Sequence, residues 1–99
     1  MSYRVRLTRK AREDLDKIYD FLLPINVEAA GHATAAIRKS VASLQDFPFG
    51  ARKADPENPF LRELLIPFGS AGYVALFEIE DATTISILAV RHQREDDYH

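Results

Sequence analysis

Apolar positions fall in two rhythms along this chain. From Leu61 to His92, LRELLIPFGSAGYVALFEIEDATTISILAVRH, three runs rich in Leu, Ile, Val, Phe and Tyr are separated by two short breaks, Pro67 to Gly72 and Glu80 to Thr83. Apolar runs of about four to eight residues bounded by turn chemistry read as strands, and breaks this short join antiparallel neighbours. The pattern predicts a β-meander that stops at Arg91-His92-Gln93-Arg94. Side chains alternate across a strand. Tyr73, Ala75, Phe77 and Ile79 therefore share one face, and Val74, Leu76, Glu78 and Glu80 the other. The same count in the last run puts Ile85, Ile87, Ala89 and Arg91 on the packed face, opposite Thr84, Ser86, Leu88, Val90 and His92. Val74, Leu76, Leu88 and Val90 then gather at one end of an open face that no remaining chain covers. Such an apolar patch reads as a surface for a partner.

Upstream the rhythm changes. Tyr3, Val5 and Leu7 alternate with Arg4 and Arg6, a short edge strand with a charged outer face. Thr8 is an N-cap, and Ala11, Leu15, Ile18, Tyr19 and Leu22 follow helical spacing until Pro24. Asn26 caps a second helix running to about Asp46, with the stripe Ala30, Ala33, Ile37, Val41 and Leu44. Its many Ala and Gly residues permit close packing on the first helix, and Gly31 reads as the tightest point. His32 lies off the stripe and reads as solvated. Phe47-Pro48-Phe49-Gly50 stops the helix, and a polar loop from Ala51 to Phe60 follows, pinned to the core edge by Phe47, Phe49 and Phe60.

The order is β-α-α-β-β-β. Up the first strand, down and up a helical hairpin and down the next strand makes those two strands antiparallel. The predicted architecture is a single α+β domain over residues 1–99. It has two layers, with a helical hairpin packed on one face of a mainly antiparallel four-stranded sheet.

Charge adds an asymmetry. The net charge is −2, which argues against a general nucleic-acid binder. Residues 1–53 hold 10 Lys/Arg against 6 Asp/Glu, and residues 54–99 hold 3 against 9. The basic cluster Arg4, Arg6, Arg9, Lys10 and Arg12 fits an acidic partner, a phosphate backbone or a solvated edge that discourages aggregation. There is no cysteine, which fits a reducing cytoplasm. No segment reads as a signal peptide or membrane span. The three His are too dispersed for a ligand set, so neither metal nor cofactor is expected.

The element order, Arg62-Glu63-Leu64, Gly72-Tyr73-Val74 and the ending Val90-Arg91-His92-Gln93-Arg94 together resemble the RelE/ParE toxins of bacterial type II toxin–antitoxin pairs. The resemblance covers nearly the whole chain. It implies a small toxin neutralised by a cognate antitoxin, for which the groove of Val74, Leu76, Leu88 and Val90 is suited. One branch cuts messenger RNA on the ribosome; the other poisons DNA gyrase without being an enzyme. Members of the ribonuclease branch usually carry a basic residue early in the strand where this chain has Val74. Here such chemistry would fall to His92, Arg91, Arg94, Tyr98 and Arg62, beside the repelling carboxylates Glu95, Asp96 and Asp97. The resemblance therefore points to the ParE branch. It implies target binding by Arg91, His92 and Arg94, with gyrase as the target and the ribosome with mRNA as the alternative. Arg91 has a quieter role open to it, bonding chain-end carbonyls or Glu63 as an anchor.

Overall fold

Two polar caps set the helical layer. In the computed structural model, which describes residues 2–95, the Thr8 hydroxyl accepts from the Ala11 amide and starts α1 (Arg9–Leu22). The Asn26 side chain accepts from Ala29 and starts α2 (Val27–Ala42). Of the predicted stripes, Ala11 and Leu15 from α1 and Ala30, Ala33, Ile37 and Val41 from α2 are buried, Ile18 and Leu22 are half-buried, and Tyr19, expected on the stripe, is exposed. The second helix ends four residues earlier than expected. A 3-10 turn, Ser43–Gln45, carries Leu44 into the core in its place. Gly31 is exposed, with nothing within 4 Å of an added Cβ. Tight packing is therefore the work of Ala30 and Ala33, both fully buried, and Gly31 does not mark it. His32 is exposed, as its spacing implies.

Among the described residues the sheet has five strands where four were expected: β1 (Arg4–Leu7), β2 (Arg52–Asp55), β3 (Asn58–Phe68), β4 (Ala71–Ile79) and β5 (Thr84–His92), in the order β1-β5-β4-β3-β2. The added strand lies in the presumed loop. Arg52-Lys53-Ala54-Asp55 has no apolar alternation because it is an edge strand, joined to β3 by a two-residue turn in which Asp55 accepts from the Glu57 amide. Its reversal of the chain changes the topology. β1 pairs parallel to β5, and β3 runs antiparallel to β4 as β5 does. The first strand and the first meander strand are consequently parallel in direction, not antiparallel. Gly69, at φ 62, opens the two-residue β3–β4 turn, a position that suits glycine.

Leu88 breaks the alternation of β5. Phe77 pairs with Ile87, but the next pair is Leu76 with Ala89, so Leu88 is left over as a β-bulge. Every residue after it changes face. Val90, opposite Ala75, is 5% exposed and belongs to the core; its expected place in the open groove is wrong. Arg91 lies opposite Val74 on the open face, and His92 opposite Tyr73 on the helical face, the reverse of the simple count. Two α1-side residues hold the bulge: the Thr8 hydroxyl donates to Ile87 O at 2.7 Å, and buried Asp14 accepts from the Val90 amide at 2.9 Å.

The Phe49–Phe60 pair stacks edge-on at 6.3 Å, and the Arg62 guanidinium sits 5.1 Å from the Phe49 ring. These rings are half-exposed and Phe47 is 79% exposed. The three phenylalanines therefore do not pin the segment to the core. Arg62 does the fastening, donating to Phe49 O, Ala51 O and Pro59 O.

Candidate partner-binding site

The chain leaves β5 through a short turn built on Arg91. Its Nη1 donates to His92 O at 3.1 Å, to Gln93 O at 3.4 Å and to Glu95 O. Its Nη2 lies 3.8 Å from Glu63, a carboxylate also held by Arg52 at 3.0 Å. Glu95 closes the turn from both ends: its amide donates to His92 O and its carboxylate accepts from the His92 amide. A planar fork of donors suits several carbonyls and a carboxylate at once. With its side chain 13% exposed, Arg91 is an anchor whose position fixes what its neighbours present.

Those neighbours are His92 and Arg94. The imidazole stands edge-on to the Tyr73 ring at 5.5 Å and 87°, and Tyr73 in turn packs on Phe68 at 6.1 Å. Burial pushes the Tyr73 phenol above its ordinary pKa, so this ring stays neutral at physiological pH. The Arg94 amide donates to His92 Nδ1 at 3.1 Å. In the neutral ring the proton therefore sits on Nε2. Beside them opens a cleft of about 500 Å³, whose apolar wall is Ile18, Phe21 and Leu22 and whose polar rim includes Lys17, Arg94 and Glu95. Phe21 in that wall is 70% exposed. An apolar floor with charged groups at its lip is the form of a protein-binding surface.

Gly72 makes the close approach possible. At φ +156 its missing Cβ would stand 2.2 Å from Ile66 O and 2.9 Å from the Gln93 side chain. Its carbonyl accepts the Gln93 amide, extending the ladder past His92.

The expected site residues are thus divided. His92 and Arg94 share the cleft; Arg91 lies on the opposite face of the sheet. Arg62, opposite Phe77 on the helical face, is engaged by the loop. Tyr98 lies outside the described residues. Of the proposed groove, Val74 is 1% exposed and Val90 is core. Leu76 and Leu88 are half-buried, and Leu65, opposite Val74, is 47% exposed. Asp14, not singled out from the sequence, carries a signal in hindsight of geometry: it is an acid on the apolar side of α1, between Ala11 and Leu15.

Comparison with known proteins gives a consistent picture. The family described as the ParE toxin of type II toxin-antitoxin system, parDE, matches residues 5–97. A chain from the chromosomal ParDE system of P. aeruginosa is similar at 29% identity and a TM-score of 0.74, covering 92% of this chain and 96% of that one. A chain of the RelBE2 toxin-antitoxin complex from Mycobacterium tuberculosis is similar at 26% identity and a TM-score of 0.61, covering 94% and 100%. No curated protein matches.

Proposed function

The chain belongs to the ParE toxin family of type II toxin–antitoxin systems, and from that premise we propose that it acts by binding and not by cutting. Its target is a protein, DNA gyrase, gripped in the cytoplasm by His92 and Arg94 on the turn that Arg91 orders. A cognate antitoxin keeps it inactive, in the manner of a plasmid-stabilising pair. The observation that carries the reading is the division of the basic side chains. Cleaving RNA asks for cations and an acid–base group around one phosphate. Arg62 and Arg91 instead lie on opposite faces of the sheet, each donating to backbone carbonyls.

Both solved relatives come from toxin–antitoxin pairs, which supports an antitoxin partner. We assign it the open-face apolar residues Leu65 and Leu76 beside the bulged Leu88. Leu76→Glu weakens antitoxin binding on this reading; an unchanged dissociation constant removes the assignment.

One observation favours a second reading. The likeness to a RelBE2 chain keeps a ribosome-dependent endoribonuclease in view. Induced expression separates the two. Filamentation with gyrase-linked DNA breaks, abolished by His92→Ala, supports the binding reading. Loss of transcripts within minutes with supercoiling intact sinks it.

A further inference from the structure

The outer edge of β5 changes partner along its length. β1 covers it as far as the Leu7–Ile87 pair and then ends. Beyond that point the edge meets the start of α1. The Thr8 amide and hydroxyl both donate to Ile87 O, at 3.1 and 2.7 Å, and the hydroxyl also lies 3.3 Å from Leu88 O. Successive carbonyls of a regular strand point to opposite edges. One hydroxyl can reach both only where the strand is bulged. Two residues further on, the Val90 amide donates to Asp14 Oδ2, and Lys10 Nζ holds the other oxygen. Asp14 is 4% exposed, so this carboxylate is committed to the strand and not to solvent.

The bulge decides what the end of the strand presents. Were Leu88 paired in regular register with Leu76 and not bulged, pairing would continue one step out of phase. Arg91 would come opposite Tyr73, beside the α1 cleft, and Val90 would turn out of the core. With the bulge, Val90 fills the core, Arg91 meets Glu63, and His92 lies against Tyr73. We propose that Thr8 and Asp14 are positioning residues for His92 and Arg91. Thr8 holds the bulge open through the two carbonyls, and Asp14 ties down the amide that β1 is too short to take. Together they set which face each side chain takes. The functional weight of this clamp rests on the reading that the end of β5 is the working end.

Thr8 also caps α1, so the test must separate its two duties. Thr8→Ser keeps both the cap and the bridging hydroxyl. Thr8→Asp keeps a good cap but has no proton to give a carbonyl. Asp14→Asn keeps an acceptor for Val90, and Asp14→Leu keeps none. In the full chain, the nuclear Overhauser contact between the Tyr73 and His92 rings reports the phase of the strand directly. It should persist in Thr8→Ser and Asp14→Asn and be lost or weakened in Thr8→Asp and Asp14→Leu. Target inhibition should fall about tenfold in the latter two, equivalent to about 1.4 kcal/mol of binding, while helix content holds.

Deleting Leu88 gives the second arm. Removal of the extra residue leaves residues 89–92 in their present pairs without a bulge, so Thr8→Asp should no longer disturb the ring contact in that background. If Thr8→Asp keeps the ring contact in the full chain, or still loses it when Leu88 is deleted, Thr8 acts as a cap alone and the proposal falls. Loss of the ring contact with inhibition undiminished supports the clamp and removes the end of β5 as the working end.

Discussion

Arg62 and Arg91 perform the same chemistry on opposite faces of one sheet. Each donates to three backbone carbonyls, Arg62 to Pro59, Phe49 and Ala51, Arg91 to His92, Gln93 and Glu95. The segment held by Arg62 ends in exposed aromatic rings, Phe49 and Phe60. The segment held by Arg91 carries a histidine and an arginine to the lip of an apolar cleft. A guanidinium over carbonyls therefore says little about function by itself. What distinguishes the two is the cargo of the segment and the surface beside it.

The largest effect separating the two regions should come from Gly72. Gly72→Ala drives a Cβ against Ile66 O and the Gln93 side chain at a backbone angle that L residues rarely adopt. The Gln93 side chain can swing aside, but Ile66 O is backbone and cannot yield without shifting the β3–β4 ladder. A loss of about 3 kcal/mol or more is expected, read by thermal or urea unfolding. A variant as stable as the parent would mean that the tail does not rest on this glycine.

Substituting the arginines tests the comparison itself. Arg91→Ala removes charge-assisted bonds from a side chain that is mostly buried and leaves Glu63 with Arg52 as its other cation. It should cost about 2 kcal/mol and abolish target inhibition. Arg91→Lys should not restore it, since an ammonium lacks the planar fork. Arg62→Ala should cost about 1 kcal/mol and leave inhibition at the parental level. Equal loss of inhibition in a folded Arg62→Ala protein would unite the two faces in one site and favour the endoribonuclease.

The regions also differ in how far the sequence exposes them. The helical layer was legible because burial there follows a single period: Leu15, Ala30, Ala33, Ile37, Val41 and Leu44 all sit where the spacing puts them, and Thr8 and Asn26 cap as their side chains dictate. β2 was not, because an edge strand needs no apolar alternation and Arg52-Lys53-Ala54-Asp55 offers none. That omission reversed the direction assigned to the strands after it. The end of β5 was misplaced for a different reason. Ile87-Leu88-Ala89-Val90 is apolar throughout, so a period of two has nothing to lock onto and a one-residue bulge leaves no trace. The site residues His92 and Arg94 were nameable, yet their faces were set by Thr8 and Asp14, distant in sequence and close only once the fold exists.

A smaller effect with the opposite sign is expected in the helical layer. Gly31 lies inside α2 with open space where a side chain would go. Gly31→Ala should raise stability by about 0.5–1 kcal/mol by narrowing the unfolded ensemble. Target inhibition should stay unchanged, because nothing at the end of β5 touches it. A destabilised variant would show that α2 needs its glycine for a contact with a partner or a local distortion, and would weaken the picture of this layer as a passive support.

The smallest effect lies at the start of β5. Hydrogen bonds from the Thr83 amide and hydroxyl hold the Asp81 carboxyl below its ordinary pKa of 3.8. A depressed folded value means that the unfolded chain binds the proton first. The contribution is fully present above the unfolded value and fades as pH falls through the folded one. Asp81→Asn keeps an acceptor for Thr83 but has no proton to exchange, so the acid limb of the stability profile should flatten, with a small loss of stability near neutrality where the carboxylate's contribution was present. The substitution sits at the opposite end of β5 from His92, across the whole length of the strand. Inhibition at neutral pH should therefore be untouched. If it is not, the turn before β5 and the turn after it are coupled through the strand, and the clamp at Leu88 does not isolate the working end from the rest of the sheet.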